Sequence, residues 1–282
     1  MQKFVYYPFV YALEKQGGWT PMRRYVTLIT HTVHGYLPFD RFAQAGHSRM
    51  PDHLSEGALE VLTSEWLTGI NPFSQVFAPL VNPKNLAWGL NKFNELQFHP
   101  VRTVFDLKSQ TSGHVSWNAI RLNEAKVFNP PICDTAKFVG YEWLTKRADC
   151  MEKRKSIRKT LHISDLARSL GVTRSASCQV AEVCENLGSV SPSCIASALG
   201  VHLRTLQRGL REEGTTAELI IQAVRLIRAT ALLKSQKSLT EVAHETGFYD
   251  LAHMDRSFRV SAGAPPSFLR KVALGAVEPE LI

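Results

Sequence analysis

The sequence lacks any long apolar run. No window of eighteen consecutive apolar residues occurs among its 282 residues, so no membrane-spanning helix is predicted. The stretch from Phe4 to Val10 is apolar, but it is short, interrupted by Pro8 and followed by no convincing small-residue cleavage site, so it does not predict a signal peptide. These absences predict a cytoplasmic protein that has no membrane partner.

Cysteine is scarce. Five cysteines occur, at positions 133, 150, 178, 184 and 194, and no two of them form a C-x-x-C motif. An odd number without paired spacing is typical of a protein whose thiols stay reduced. We interpret them as small buried hydrophobic residues. A cysteine-based redox-sensing or metal-sensing regulator is the alternative.

Motifs of the common enzyme classes are also missing. The sequence contains no glycine-rich phosphate loop, no G-x-S-x-G and no H-E-x-x-H. Its close histidine pairs are His31 with His34 and His47 with His53, which we interpret as ordinary histidines and not as metal ligands. The sequence therefore predicts a protein that is not an enzyme and has no catalytic residue, cofactor or metal.

The composition is that of a folded protein with a basic excess. Hydrophobic residues make up 44% and charged residues 21%, and the length favours two domains. The net charge is +8, with 15 Lys/Arg against 12 Asp/Glu in residues 1–150 and 18 against 13 in residues 151–282. Because the excess leans toward the C-terminal half, that half is the candidate for a nucleic-acid partner.

Residues 1–150 predict an α+β domain. Strands are predicted at Tyr25–Thr30, Val101–Leu107 and His114–Leu122, the last two as a hairpin, and a helix at Ala58–Leu67. We expect this domain to be regulatory, by effector binding, dimerisation or both. A basic linker (151–174), an all-α domain (175–274) and a tail (275–282) follow.

The C-terminal region repeats the pattern Ala-x-x-x-Gly, at Ala167, Ala196 and Ala243. Alanine lets a second helix approach closely, and the glycine permits the tight turn between two helices, as in a helix-turn-helix unit. Leu206 and Met254 supply the apolar anchor for the second and third copies. The copy at Ala167 has no large apolar anchor after it, so we interpret it as a chance match or a plain helix.

The first complete unit predicts a DNA-reading helix. Ser191 is its expected N-cap, and the second helix ends at Gly214. Leu203, Leu206 and Leu210 should face inward. The opposite side carries side chains that can make bidentate bonds to guanine and adenine edges, namely Arg204, Gln207, Arg208 and Arg211.

A long helix and a second unit follow. Thr215-Thr216-Ala217-Glu218 predicts a capping box that opens a helix extending to Lys234, about 28 Å long at ~1.5 Å per residue. Ser238-Leu239-Thr240-Glu241 predicts another capping box, and Asp250 is the expected N-cap of the second recognition helix. No proline occurs between Pro192 and Pro265. The sequence thus predicts two helix-turn-helix units joined by a long helix.

The stretch from about Ser191 to Arg270 resembles the DNA-binding domain of the AraC/XylS family of bacterial transcription regulators. The resemblance covers about a third of the chain and is carried by Leu206-Gln207-Arg208, Glu213-Gly214-Thr215, Arg225, Ala229, Leu232-Leu233, Ala243, Gly247-Phe248, Arg256, Phe258, Gly263, Pro266 and Arg270. It implies a sequence-specific transcription regulator, an activator in our expectation. It also implies a regulatory N-terminal domain.

Several residues depart from the family pattern. His202 stands where a capping serine is usual, and Met254 stands where phenylalanine is usual. Leu251 and Ala252 stand where relatives often carry polar base-reading side chains. We therefore expect specificity to rest on the first unit, with His253, Arg256 and Arg259 contacting mostly phosphate.

The expected partners are double-stranded promoter DNA and RNA polymerase, together with a small-molecule effector or a second copy of the chain. The resemblance also allows an enzyme, because some relatives fuse this domain to alkyl-transfer DNA-repair chemistry. That chemistry needs a nucleophilic cysteine with a neighbouring histidine. Cys133 has neither His nor Arg beside it, which disfavours this alternative.

Overall fold

The computed structural model describes residues 4–6, 20–38, 69–80, 82–96, 102–109, 115–122, 139–145, 162–188 and 190–275. In chain order its helices are α1 Pro21–Val33, α2 Pro72–Phe77, α3 Pro83–Leu96, α4 Ile163–Ser169, α5 Ala176–Leu187, α6 Pro192–Ala198, α7 Leu203–Glu212, α8 Ala217–Leu232, α9 Leu239–Glu245, α10 Leu251–Ala262 and α11 Pro266–Leu274. Its strands are β1 Phe4–Tyr6, β2 Tyr36–Pro38, β3 Arg102–Ser109 and β4 Val115–Leu122. Residues 139–145 are also helical.

The predicted strand at Tyr25–Thr30 is wrong, because these residues lie inside helix α1. Thr20 caps the helix by accepting the Arg23 N–H at 3.2 Å, and Pro21 occupies the first turn, where its missing N–H costs nothing. Tyr25, Leu28 and Ile29 are buried at helical spacing. The β-branched residues that suggest a strand are accommodated because burial outweighs their weak helix propensity.

The predicted hairpin at 101–122 is observed as the antiparallel pair β3–β4, in which Arg102 lies opposite Leu122 and Ser109 opposite Val115. Helix α3 fastens to it through side-chain amides. Asn91 exchanges two hydrogen bonds with the backbone of Phe105, at 2.8 and 2.9 Å, as a neighbouring strand would. The predicted helix at Ala58–Leu67 lies outside the described residues, and the α+β assignment of residues 1–150 remains a prediction.

The N-terminal and C-terminal helices share one hydrophobic core in the described part of the chain. Phe73, Phe77 and Phe93 pack against one another, with ring centroids 4.4–5.7 Å apart. Helix α3 approaches α11 so closely at Gly89 that a Cβ there would lie 3.1 Å from Phe77 and 3.3 Å from Val272. Helices α2 and α3 are therefore packed directly onto the C-terminal segment.

Helix α1 makes the most direct connection between the two halves. It packs against α8 and α10. At its C-terminal end the Gly35 N–H donates to the Val260 carbonyl at 3.0 Å, and the Ser261 hydroxyl donates to the Thr32 carbonyl. The division of the chain into domains at 150 and 174 remains a prediction, but residues on both sides of it are in contact.

All three Ala-x-x-x-Gly copies close the same turn. In each, the glycine has positive φ (66–84°), and the next residue donates its N–H to the carbonyl of the alanine at 2.8–3.0 Å. The chance-match interpretation of the copy at Ala167 is therefore wrong for the turn. Helix α4 is a plain helix that packs on α5, and it lies inside the span predicted as a linker.

His31 should make the stability of the fold depend on pH. Burial lowers its pKa from 6.5 to about 3, so between these values the unfolded chain binds a proton that the folded chain excludes. The free energy of unfolding should thus fall as pH drops below 6.5, by about 2 kcal/mol at pH 5. Urea denaturation at pH 7.5 and pH 5 measures this difference.

The His31→Gln variant should lose that pH-dependent component, whatever its stability at neutral pH. His34→Gln is the matched control, since His34 is an exposed histidine one turn further along. If the free energy of unfolding of His31→Gln still falls by the same amount between pH 7.5 and pH 5, His31 is not the source of the pH dependence.

Candidate nucleic-acid interface

The first helix-turn-helix unit is formed by α6 and α7. Ser191 caps α6 by accepting the Cys194 N–H, with Pro192 in the first turn, as the sequence predicts. Ile195 and Ala196 are buried between the helices. His202 occupies the N-cap of α7 without a side-chain cap bond. The N-terminal end of α7 is thus left open toward solvent.

Helix α7 presents a strongly basic outer face. Leu206 and Leu210 are buried as predicted, whereas Leu203, at the first position, is 37% exposed, so the inner stripe has two members and not three. The predicted DNA-contacting side chains are all exposed: Arg204, Gln207, Arg208 and Arg211. Arg204, Arg208 and Arg211 follow the i, i+4, i+7 spacing that aligns residues on one side of a helix.

The charge on this face is largely uncompensated. Arg208 has one acidic neighbour, Glu212, with 4.0 Å between Nε and Oε1. Within the described residues, Arg204, Gln207 and Arg211 make no side-chain hydrogen bond or ion pair. Exposed guanidinium groups without a protein partner are free to bind phosphate or a base edge.

The second unit is formed by α9 and α10. The predicted capping box is present: the Glu241 N–H donates to the Ser238 hydroxyl, and the Ser238 N–H donates to the Glu241 carboxylate. Asp250 caps α10, as predicted, by accepting the His253 N–H at 2.6 Å. Met254 and Phe258 are fully buried and anchor α10 against the unit.

The predicted DNA-contacting residues of α10 differ in whether their side chains already have a partner within the protein. Arg256 is exposed and, in the described part of the chain, makes no side-chain hydrogen bond or ion pair. Arg259 is exposed but bound to Asp255 at 2.6 Å. His253 is half-buried, accepts the Tyr249 N–H through Nδ1 at 3.3 Å, and lies edge-on to Phe248.

Helix α8 joins the two units and departs from prediction at both ends. Its N-cap is Thr216 and not Thr215, so no capping box forms, because Thr215 is buried and donates its N–H to the Leu210 carbonyl. It ends at Leu232 after 16 residues, which is about 24 Å. Arg270 Nε donates to the Leu233 carbonyl at 3.0 Å and so binds the end of α8 to α11.

Sequence reasoning missed the residue that braces the first unit. The Glu213 carboxylate, just beyond α7, accepts the backbone N–H groups of Ala176 and Ser177 at 2.7 and 2.9 Å. These are two of the unsatisfied donors at the start of α5, and negative charge is favourable there. Glu185 does the same for α4, accepting the Ser164 N–H and hydroxyl. A sequence signal for the first contact exists only in the Glu213-Gly214-Thr215 junction.

Two of the three described cysteines, Cys178 and Cys184, fit the predicted packing role. Burial raises the pKa of Cys178 to about 11 and that of Cys184 to about 12, with nearby glutamates adding to the effect. A thiol with so high a pKa is a poor nucleophile or metal ligand. Cys194 is exposed on α6, so the prediction that the cysteines are buried is wrong for this residue. Cys133 and Cys150 lie outside the described residues.

Residues 195–271 match the family model of a helix-turn-helix domain. The C-terminal segment is an AraC-type helix-turn-helix domain. Three relatives are similar to this chain. The chain is 34% identical over 92 residues to the transcriptional activator RhrA of Rhizobium meliloti (strain 1021), covering 32% of this chain and 29% of that protein.

The second relative is the transcriptional activator NphR of Rhodococcus sp, 34% identical over 109 residues, which are 38% of this chain and 32% of that protein. The third is the HTH-type transcriptional activator RhaS of Escherichia fergusonii, 35% identical over 85 residues, which are 29% of this chain and 31% of that protein. The matched part of this chain thus spans about three-tenths of the length of these curated relatives.

A solved structure, the transcriptional regulator CdpR from Pseudomonas aeruginosa, superposes on 89% of this chain and 96% of its own. The TM-score is 0.33 and the sequence identity 15%, values at which no shared overall fold is inferred. Among the described residues, no helix is long and apolar enough to span a membrane. No group of three potential metal-ligating side chains was found in that same part of the chain.

Removal of the Glu213 carboxylate should destabilise the first unit. Glu213→Ala leaves two N–H groups of α5 without their acceptor, which should cost about 1–3 kcal/mol of unfolding free energy. Denaturant unfolding of the full chain measures the loss. Glu212→Ala is the matched control, because Glu212 is exposed and should cost under ~0.5 kcal/mol. Equal losses in the two variants would contradict the bracing role.

Proposed function

We propose that this protein is a sequence-specific DNA-binding transcription regulator whose two helix-turn-helix units bind adjacent major-groove segments of a promoter. The observation that carries the proposal is the pair of recognition helices, each anchored on its inner side and basic on its outer side. The relatives RhrA, NphR and RhaS are named transcriptional activators, which favours activation, with RNA polymerase as the protein partner.

The spacing of the units supports binding to one face of the duplex. Helix α8 is about 24 Å long, and a short turn separates it from the flanking helices at each end. Successive major grooves on one face of B-DNA are ~34 Å apart. A single duplex can therefore accept α7 and α10 in neighbouring grooves.

The two recognition helices are assigned different roles in DNA binding. In α7, Arg204, Gln207, Arg208 and Arg211 have the donors needed to read base edges. In α10, Arg256 and Arg259 supply charge to phosphates, and His253 is held by the turn, so its contribution is positional. Specificity in this assignment rests mainly on the first unit.

Regulation is assigned to residues 1–150, acting through α1. Helix α1 packs against α8 and is hydrogen-bonded to the C-terminal end of α10. A change in the position of α1 therefore alters the support of the second recognition helix, α10. The signal in this proposal is a small-molecule effector, self-association, or both. An effector or a second copy of the chain can alter DNA affinity only to the extent that it binds one arrangement of the α1 contact more tightly than another.

DNA binding by the full chain should be strongly salt-dependent. If about 6–10 phosphates are contacted, the affinity for a selected duplex should fall by roughly 10³–10⁵-fold between 50 and 200 mM salt. Fluorescence anisotropy with a duplex chosen from a random library measures this. A flat salt response, or no sequence preference in the selection, would overturn the proposal.

The same assay tests the reading face. Arg208→Ala should weaken the specific complex by about 1–3 kcal/mol and nonspecific binding by less. Arg168→Ala, an exposed arginine on α4, is the matched control and should leave both unchanged.

The α1 contact should respond to DNA. Because coupling is reciprocal, DNA binding should slow amide exchange in residues 21–33 of the full chain, and Ser261→Ala should reduce that protection. Hydrogen–deuterium exchange with and without the selected duplex measures the effect. Ser257→Ala, a half-buried serine one turn earlier on α10, is the control. If amide exchange in α1 is the same with and without the duplex, α1 does not connect residues 1–150 to the DNA-binding units.

A further inference from the structure

The two recognition helices correspond residue by residue. Leu206 and Leu210 anchor α7, and Met254 and Phe258, each 48 residues further on, anchor α10 in the same way. The N-caps His202 and Asp250 keep the same offset. Positions on the outer faces can therefore be compared directly.

The comparison places an alanine where the first helix has an arginine. Arg208 and Arg211 correspond to Arg256 and Arg259, so the second and third outward positions are basic in both helices. The first outward position is Arg204 in α7 and Ala252 in α10. It lies in the N-terminal turn, the part of a recognition helix that reaches base edges.

The residues around Ala252 are apolar and exposed as well. Leu251, the first residue of α10, is 36% exposed, as its counterpart Leu203 is in α7 at 37%, and Tyr249, in the turn before α10, is 85% exposed. Tyr249 is the extra residue that makes this turn longer than the one before α7. Tyr249, Leu251 and Ala252 thus place exposed apolar surface within a few residues of Arg256 and Arg259, which suits a partner that is apolar in one place and anionic around it.

The polar groups nearby each have a partner within the unit. Asp255, at the position of Gln207, binds Arg259 through Oδ2 at 2.6 Å, so a contact between its carboxylate and a cytosine amine would compete with that ion pair. His253 uses Nδ1 to accept the Tyr249 N–H. Of the predicted polar contacts on α10, Arg256 alone has a side chain with no bond in the described part of the chain.

We propose that Tyr249, Leu251 and Ala252 form an apolar reading surface that selects thymine in the second half-site by contacting its C5-methyl group. The methyl group of thymine is the apolar feature of the major groove, and alanine is one of the side chains that contact it. Arg256 and Arg259 flank the surface with charge for the phosphates. The inference rests on the proposed DNA-binding function and assigns base preference to a unit that otherwise reads little.

The experiment replaces thymine by deoxyuridine, which removes only the C5-methyl group. The full chain is bound to a duplex selected from a random library, and each thymine of the footprint is replaced in turn. The half-sites are assigned by the protections that weaken in Arg208→Ala and in Arg256→Ala. At one or two thymines of the second half-site, affinity should fall about fourfold per methyl, as expected for one buried methyl-sized group.

Two variants connect that effect to the surface. Ala252→Ser keeps the size of the side chain but adds a hydroxyl, and it should reduce the deoxyuridine penalty in the second half-site to under about twofold. Arg204→Ala is the matched variant in α7, since it removes the arginine from the equivalent position. It should weaken the first half-site and leave the penalty in the second unchanged.

The outcomes separate the inference from the function it rests on. If the selected duplex is bound at both half-sites but no thymine there is sensitive to deoxyuridine, the inference is overturned and the DNA-binding function stands. A penalty that persists in Ala252→Ser also overturns the inference, since the methyl contact then lies elsewhere. If no duplex is selected, the proposed function fails first.

Discussion

Burial of helix α8 is the constraint around which the described elements are arranged. Nine of its sixteen residues are buried, from Ala217 to Thr230, and they lie on more than one side of the helix. An amphipathic spacer would need cover on one face only. Here α5 covers part of the helix from within the C-terminal segment, while α1 and α2 cover another part from the N-terminal half. Helix α8, which sets the spacing of the two units, therefore needs both halves of the chain to keep its apolar residues buried from solvent.

The two recognition helices are supported by different means. Glu213 ties the end of α7 to the start of α5, so the first unit is braced within the C-terminal segment. The end of α10 is bonded to α1 through Val260 and Ser261, so the second unit is braced by the N-terminal half. A rearrangement of α1 would thus act on the second unit through hydrogen bonds, whereas the first unit keeps its Glu213 bonds inside the C-terminal segment. In the proposed function, this asymmetry gives residues 1–150 access to half of the DNA-binding surface.

The parts of the fold that the sequence predicts well are those fixed by local chemistry. The caps at Ser191, Ser238 and Asp250 and the glycine turns depend on neighbouring residues, and the structure confirms them. Helix α1 is missed because its β-branched residues favour a strand until burial against α8 is known. The cap of α8 is misplaced by one residue because Thr215 is drawn into the core, a tertiary effect. Glu213 is missed because its partners lie 36 and 37 residues earlier in the chain.

The chemistry of the two outer faces follows the same asymmetry as their support. The first helix carries three arginines and a glutamine that are exposed to solvent, and only Arg208 among them has an ion-pair partner in the described part of the chain. The second pairs one of its arginines with Asp255, holds its histidine in the turn, and exposes Ala252 where the first helix has Arg204. Hydrogen-bond donors discriminate strongly but must be desolvated, whereas a methyl contact discriminates weakly and requires close shape fit. In the proposed function, a weak contact that depends on shape is the more sensitive to the position of its helix. That helix is α10, the recognition helix that is hydrogen-bonded to the N-terminal half.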